Sequence, residues 1–153
     1  MSDRDWLNYA IELAARGEAV GEVPVGALLV AGHEILGEGW NCPIGEQDPT
    51  AHAEMVAIRK AAKRLGNYRL DQFESIPTTL YVTLEPCIMC AGAILHARIP
   101  RVVFGVRDPK AGAVGSLCNV FELKGLPRVD YMADACVERC QDQLKRFFQA
   151  RRK

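Results

Sequence analysis

Two short segments constrain this chain most, because each places metal-binding or acid–base side chains at the start of a predicted helix. The first is His52-Ala53-Glu54 and the second is Pro86-Cys87-Ile88-Met89-Cys90. Both follow a predicted strand and loop, and Pro86 suits the beginning of a helix because it lacks the N–H that would go unpaired there. At a helix N-terminus the helix dipole favours the thiolate form of a cysteine. Both segments are therefore candidates for an active site.

Cys87 and Cys90 have the spacing of metal ligands. Residues three apart on a helix lie about 60° apart on one face, so the two thiolates can bind one ion. His52 would be the third ligand. One histidine and two cysteines, with the fourth position left to water, are typical of a catalytic zinc site, and thiolates favour zinc over magnesium or calcium. We predict one zinc ion per chain.

Glu54 is a candidate proton carrier beside that ion. Residues two apart on a regular helix point about 200° from each other, so His52 and Glu54 can share a cavity only from an irregular first turn. A carboxylate beside the metal could take a proton from the bound water, whose pKa zinc lowers to roughly 7. If Glu54 bound the metal instead, it would close the site, and spacing alone leaves that question open.

The pattern of apolar residues predicts an α/β chain. Strands alternate with helices after an opening hairpin, which indicates a mixed sheet covered by helices. Asp48 and Pro49 fit the N-cap and first position of the second helix, which would end at Gly66. The predicted helices span 3–16, 48–66, 87–98 and 133–150, and the predicted strands span 23–31, 34–40, 78–84, 101–106 and part of 127–132.

Composition sets limits on size and partners. A length of 153 residues favours a single domain over 1–153. The 19 basic and 19 acidic residues cancel, which excludes nucleic-acid binding through bulk charge but allows a local patch at 138–153. No apolar run is long enough for a membrane span, and the chain does not begin like a signal peptide, so we expect a cytoplasmic protein.

Several longer segments surround the two motifs and carry a resemblance. They are Glu22-Val23-Pro24-Val25-Gly26-Ala27, Gly37-Glu38-Gly39-Trp40-Asn41, Asp48-Pro49-Thr50-Ala51-His52-Ala53-Glu54, Asn67-Tyr68-Arg69-Leu70, Leu80-Tyr81-Val82-Thr83-Leu84-Glu85-Pro86-Cys87, Arg101-Val102-Val103-Phe104-Gly105, Phe147-Phe148 and Arg151-Arg152. The zinc motif alone would fit any deaminase of the cytidine-deaminase-like superfamily. With the flanking segments the chain resembles the bacterial tRNA-specific adenosine deaminases, which form inosine at the wobble position.

The resemblance implies a fold, a reaction and partners. The fold would be a cytidine-deaminase-like three-layer α/β/α arrangement, with a mixed sheet of about five strands and helices on both faces. The reaction would be hydrolytic deamination of adenosine to inosine in a tRNA anticodon stem-loop, with release of ammonia. The family works as a homodimer, so we expect the same here.

The resemblance also implies site residues. Glu54 would be the proton shuttle, and the zinc ligands would be His52, Cys87 and Cys90. The expected substrate contacts are Asn41 with the flipped base, Val23 as an apolar wall, the Ala53 backbone N–H, Asp108 on the rim, and Phe148 and Arg151 on the last helix. The chain departs from the family at Cys42, where a basic residue is expected, and in ending at Lys153, where some relatives continue with a basic tail.

Three other functions remain open at this point. A deaminase of free cytidine, guanine or another small base would not need the basic and aromatic C-terminal helix. A structural-zinc or nucleic-acid-binding module would not need Glu54 or an open coordination position. A dithiol oxidoreductase using Cys87 and Cys90 would not need the His-Ala-Glu segment.

Overall fold

The computed structural model describes residues 1–151, and its centre is one mixed sheet. Five strands follow the order β2-β1-β4-β5-β6, and a short β3 pairs with the beginning of β4. β1 runs antiparallel to both β2 and β4, whereas β5 is parallel to β4 and to β6. The strands are β1 Gly26–Ala31, β2 Glu34–Trp40, β3 Gln72–Phe73, β4 Ile76–Leu84, β5 Arg101–Val106 and β6 Asp130–Met132.

Helices cover both faces of this sheet, which confirms the three-layer α/β/α prediction. Alternate residues of β1 point to opposite sides, because successive side chains of a strand leave opposite faces. Ala27 and Leu29 join the core under α3 and α4, while Leu28 and Val30 join the core under α1. The helices are α1 Asp3–Glu18, α2 Pro43–Glu46, α3 Ala53–Leu65, α4 Ile88–His96 and α5 Val137–Arg151, with a 3-10 turn at Val120–Glu122.

Two glycines let α3 lie directly on β2. A methyl group on Gly37 would stand 2.4 Å from the carbonyl oxygen of Ala57 and 2.7 Å from the amide nitrogen of Ala61. A methyl group on Gly39 would stand 2.6 Å from Cγ1 of Val56. Backbone atoms cannot move aside without shifting the helix. The height of α3 over the sheet, and with it the position of its N-terminus, is therefore set by Gly37 and Gly39.

The predicted start of the second helix was wrong. α3 begins at Ala53 with His52 as its N-cap, four residues beyond Pro49. The Asp48 carboxylate accepts hydrogen bonds from the N–H and the hydroxyl of Thr50, at 2.8 and 2.7 Å, so it caps a local turn instead of a helix. The predicted end was right, since Gly66 adopts the left-handed conformation there.

Other element boundaries differ for local reasons. β1 begins at Gly26 and not at residue 23, because the N–H of Val25 bonds back to the carbonyl of Val23 at 2.9 Å. α5 begins at Val137 and not at residue 133, because Asp134 and Cys136 both have positive φ. α1 runs past the predicted end at Arg16, α2 lies within a predicted loop, and β3 and the 3-10 turn were not predicted.

Within residues 1–151, no helix is both long and apolar enough to cross a membrane. Arg152 and Lys153, which belong to the predicted basic patch at 138–153, lie outside the described residues.

We expect Gly37→Ala to lower the free energy of unfolding by about 1–3 kcal/mol, because the added methyl group forces α3 off β2. Gly92→Ala is the matched control. Gly92 lies inside α4, and a methyl group added to it would meet no atom within 4 Å, so alanine should stabilise the helix by about 1 kcal/mol. Urea unfolding of both variants measures the difference. An unchanged midpoint for Gly37→Ala would show that the contact between α3 and β2 is not tight.

Candidate active site

The sheet brings the predicted site segments to one edge. β4 and β5 are parallel, so Leu84 and Val106 end at the same level, where they are paired. β2 also runs in the direction of β4, because both are antiparallel to β1, and its last residue Trp40 pairs with Gly26 at the start of β1. The segments that follow β2, β4 and β5 therefore leave the sheet together.

His52 and Glu54 reach the site from different parts of the α3 N-terminus. His52 is the N-cap, with extended backbone angles of φ −70° and ψ 155°, whereas Glu54 is the second residue of the helix. A residue ahead of the helix does not follow the helical period. This local geometry answers the objection that two residues with this spacing face apart on a regular helix.

Cys87 and Cys90 occupy the corresponding positions at α4. Cys87 is the N-cap in an extended conformation, and Cys90 is the third residue of the helix and fully buried. The two cysteines thus share one site because one of them precedes the helix, and the simple helical spacing used in the prediction applies only in part. Pro86, between β4 and this N-cap, turns the chain from strand to helix.

The three side chains form a group that fits zinc. The Sγ atoms of Cys87 and Cys90 each lie 3.5 Å from Nδ1 of His52, and the three ligand atoms lie within 4.8 Å of one another. Two ligands of a tetrahedral zinc ion, at 2.0–2.3 Å from the metal, stand about 3.6 Å apart. Within residues 1–151 no fourth ligand belongs to this group.

Charge is shared unequally between the two cysteines. A hydrogen bond from Cys90 lowers the pKa of Cys87 to about 4, and His52 contributes in the same direction. The same hydrogen bond, together with burial, raises the pKa of Cys90. The hydrogen bond with Cys87 raises the pKa of His52, although burial opposes it. The low pKa of Cys87 favours its thiolate form, which is the form of a cysteine that binds a metal.

Glu54 lies beside the three ligands without joining them. Its side chain is 4% exposed, and burial raises its pKa to about 7, with Cys87 adding to the effect. A carboxyl group with a pKa near neutrality can both accept and donate a proton at pH 7. The arrangement is suited to a proton carrier next to a metal.

A separate cleft brings together three of the predicted substrate contacts. Val23, Asp108 and Phe148 line a cavity of about 610 Å³ between α5 and the segment that follows β5. Phe148 is 46% exposed, whereas the neighbouring Phe147 is 7% exposed and packed in the interior. The other lining residues are Leu84, Val106, Arg107, Pro109, Lys110, Gln141, Leu144 and Lys145.

Asp108, on the rim of the cleft, has a structural task as well. Its carboxylate accepts hydrogen bonds from the N–H groups of Lys110 and Ala111, at 3.0 and 3.3 Å. These bonds close the turn that begins the segment after β5. The side chain is therefore held in place by its own loop.

Asn41, Ala53 and Arg151 do not line this cleft. Asn41 follows β2, and its N–H is tied to the carbonyl of Val25 at 3.0 Å. Ala53 is the first residue of α3, where the N–H has no acceptor within the helix. Arg151 donates a hydrogen bond to the carbonyl of Gly21, and its guanidinium lies 4.5 Å from the centre of the Phe147 ring.

Two buried carboxylates at this edge were not predicted from the sequence. Glu22 and Glu85 are each 2% exposed; Glu22 accepts hydrogen bonds from backbone N–H groups at the start of α2, and Glu85 from those of the segment after β5. Burial acts to raise the pKa of Glu85, but hydrogen bonds from Ser116, Val114 and Asp108 outweigh it, so the pKa lies below its ordinary value. For Glu85 the signal in the sequence was an acidic residue directly following an apolar strand, whereas Glu22 stands ahead of the first strand and gave no such signal.

Comparisons with known proteins agree with this geometry. Residues 1–106 match the family described as the cytidine and deoxycytidylate deaminase zinc-binding region. A tRNA-specific adenosine deaminase of Haemophilus influenzae is 51% identical over 152 residues, which cover 98% of this chain and 85% of that protein. The Bacillus subtilis enzyme of the same name is 41% identical over 152 residues, covering 99% and 91%.

Solved structures of deaminases also resemble this chain. A structure from studies of A-to-I editing by tRNA:A34 deaminases at the wobble position superposes with a TM-score of 0.83 at 37% identity, covering 90% of this chain and 97% of that chain. A guanine deaminase of Bacillus subtilis superposes with a TM-score of 0.64 at 42% identity, covering 70% and 66%. The chain thus belongs to the tRNA-specific adenosine deaminases, within the family of the cytidine and deoxycytidylate deaminase zinc-binding region.

Proposed function

We propose that this protein deaminates adenosine to inosine at the wobble position of a tRNA anticodon loop, by hydrolysis and with release of ammonia. The proposal rests on one observation. His52, Cys87 and Cys90 form a candidate metal site, and Glu54 is buried next to this site without belonging to it. A zinc-only structural module does not need such an acid, and a dithiol oxidoreductase does not need the imidazole. The full-length similarity to tRNA-specific adenosine deaminases supports the choice of substrate.

The metal ligands have a defined task in this proposal. His52, Cys87 and Cys90 would hold one zinc ion per chain. When bound, zinc supplies a water acidic enough to act as the nucleophile near neutral pH. His52 lies at the N-terminus of α3 and the two cysteines at the N-terminus of α4, and a helix dipole stabilises negative charge on sulfur at this position.

Glu54 moves the protons of the hydrolysis. Water adds at C6 of adenine, so one of its protons must pass to N1 of the ring and the other, from the new hydroxyl at C6, to the departing amine. A single buried carboxyl group with a pKa of about 7 can accept the first proton, deliver it to N1, and return a proton to the amine that leaves as ammonia.

The base must leave its stack to reach this site, which costs least in a single-stranded loop. We assign Asn41 and the Ala53 N–H to hydrogen bonds with the flipped base, and Val23 to an apolar wall of its pocket. Both hydrogen-bonding residues adjoin the sheet edge that carries the metal ligands. Exclusion of water from such a pocket strengthens these polar contacts.

The 610 Å³ cleft is the proposed binding surface for the nucleotides around the target. Phe148 offers an exposed ring for stacking, and Lys110 and Lys145 offer positive charge for phosphates. Asp108 stands on the rim. We assign Arg151 an indirect role in RNA binding. Its contacts with Gly21 and Phe147 hold the end of α5 in place, and α5 carries Phe148.

We also propose that the protein acts as a homodimer in the cytoplasm. Large apolar side chains stand exposed at the beginning of α4 and in the segment after β5, at Ile88, Leu117 and Leu123. Exposed apolar side chains near a functional site are typical of a surface that another protein covers.

The main alternative is a deaminase of a free small base, because the guanine deaminase of Bacillus subtilis is 42% identical. The two functions differ in their substrate, which can be tested directly. We expect the purified protein to form inosine in an anticodon stem-loop with adenosine at position 34. Free adenosine, cytidine and guanine should react at least about a hundredfold more slowly, because remote contacts contribute to the rate. Nucleoside analysis by mass spectrometry measures both. Faster release of ammonia from guanine than from the stem-loop would overturn the assignment.

The role of α5 is tested by its two adjacent phenylalanines. We expect Phe148→Ala to weaken stem-loop binding by about 5-fold to 150-fold, because stacking contributes about 1–3 kcal/mol per base, and to leave stability unchanged. Phe147→Ala is the matched control. Phe147 is buried, so its loss should cost about 3–5 kcal/mol of unfolding free energy. Fluorescence anisotropy and thermal unfolding measure the two effects. If Phe148→Ala bound the stem-loop with the same affinity as the parent, Phe148 on α5 would not be part of the RNA-binding surface.

A further inference from the structure

Glu85 is a buried carboxylate that the proposed reaction does not use. It is 2% exposed, and its backbone N–H donates to the carbonyl of Val106 at 2.8 Å. Its Oε1 accepts hydrogen bonds from the Asp108 N–H at 3.1 Å and from the Ser116 hydroxyl. Its Oε2 accepts hydrogen bonds from the N–H groups of Val114 and Ser116, at 3.0 and 3.1 Å. Four donors from one loop thus meet a single carboxylate.

The loop from 107 to 116 is wrapped closely around this carboxylate. A methyl group on Gly112 would stand 2.3 Å from Oε2 of Glu85, so only glycine fits there. The segment lacks strands and helices between Val106 and Val120, apart from isolated pairings. In a helix or a sheet, backbone N–H groups donate to backbone carbonyl groups. In this loop the N–H groups of Asp108, Val114 and Ser116 donate to the Glu85 carboxylate instead.

The same loop connects the metal ligands with the cleft. On its inner side Gly112 pairs with Cys87, and the N–H of Ala113 donates to the carbonyl of Pro86 at 2.8 Å. On its outer side Asp108 and Lys110 line the 610 Å³ cleft, opposite Phe148. Glu85 therefore stands between the site of the chemistry and the surface proposed for the RNA.

We propose that Glu85 is a positioning residue for the RNA substrate: its carboxylate fixes the loop from 107 to 116 as one wall of the cleft, and so governs binding of the anticodon stem-loop and not the rate of the chemical step. This inference rests on the proposed function. It assigns to the residue before Pro86 a task separate from that of Cys87 and Cys90.

Glutamine at position 85 keeps the size of the side chain and removes its charge. The amide offers one oxygen in place of two, and its NH₂ group would face N–H donors of the loop. At least one of the buried N–H groups then loses its partner, and the remaining bonds lose the strength that a charged acceptor gives.

Glu22 provides a matched control. It is also 2% exposed, and it accepts hydrogen bonds from the N–H groups of Ile44 and Gly45, at 3.3 and 2.8 Å. Glu22→Gln is therefore the same chemical change at the same burial, but it acts on the first turn of α2, which follows β2. A comparison of the two variants separates a local effect from a general loss of stability.

The first experiment is amide hydrogen exchange on the purified full chain. In Glu85→Gln we expect the amides of Asp108, Val114 and Ser116 to exchange about tenfold to a hundredfold faster, since hydrogen bonds to charged groups are the stronger ones. In Glu22→Gln the amides of Ile44 and Gly45 should respond and the loop from 107 to 116 should not. Unchanged exchange of that loop in Glu85→Gln would overturn the proposal, whatever the substrate of the enzyme.

The second experiment is steady-state deamination of the stem-loop. For Glu85→Gln we expect a KM at least about tenfold higher, from loss of a charge-assisted bond, with kcat within about twofold and zinc still at one per chain. Ser116→Ala removes one of the four donors and should shift KM in the same direction by less. A lowered kcat with unchanged KM, or loss of zinc, would assign Glu85 to the chemistry or the metal and overturn the proposal. If the parent protein does not deaminate the stem-loop, the proposed function fails, and the exchange experiment still decides the role of Glu85 in the loop.

Discussion

The site depends on the common direction of β2, β4 and β5. Because these strands run the same way, the chain leaves all three at one edge of the sheet, and the residues after them meet there. Cys87 follows β4, Asn41 follows β2, and Asp108 follows β5. His52 and Glu54 reach the same edge from the N-terminus of α3. The position of α3 is set by its close contact with Gly37 and Gly39 of β2. A slip of one residue in any pairing would move these groups apart.

Two helix N-termini then give the metal group its chemistry. In each segment one ligand stands ahead of the helix in extended conformation and one functional residue lies in the first turn, so short sequence motifs can place side chains that a regular helix would separate. This arrangement lowers the pKa of Cys87 to about 4 and raises the pKa of Glu54 to about 7. An acid that can exchange protons at neutral pH thus lies beside a group that holds a cation, and hydrolysis of an amine from a ring needs both.

The structure brings His52, Cys87 and Cys90 together as the sequence predicted, whereas the start of α3, which supports them, was predicted wrongly. The residues of the metal group could be predicted because their types and order are specific, and the edges of β2 and β5 followed from hydrophobic patterning. The start of α3 could not, because Asp48 and Pro49 look like a helix start and only the bonds to Thr50 show a turn. Glu85 was missed because its hydrogen-bond donors lie 23 to 31 residues away. The resemblance implied a substrate contact for Arg151, and the sequence alone does not reveal that its guanidinium lies on the ring of Phe147.

In the proposed reaction Glu54 carries protons beside the metal and is not one of the metal's ligands. Zinc content and stem-loop deamination, measured on the same preparation of Glu54→Gln, test this role. We expect one zinc per chain, as in the parent, and a rate lower by about 10²–10⁴-fold, as expected for loss of a general acid–base group. Cys87→Ala, measured alongside, should lose zinc and activity together. Loss of zinc from Glu54→Gln, or a rate within tenfold of the parent, would contradict the account.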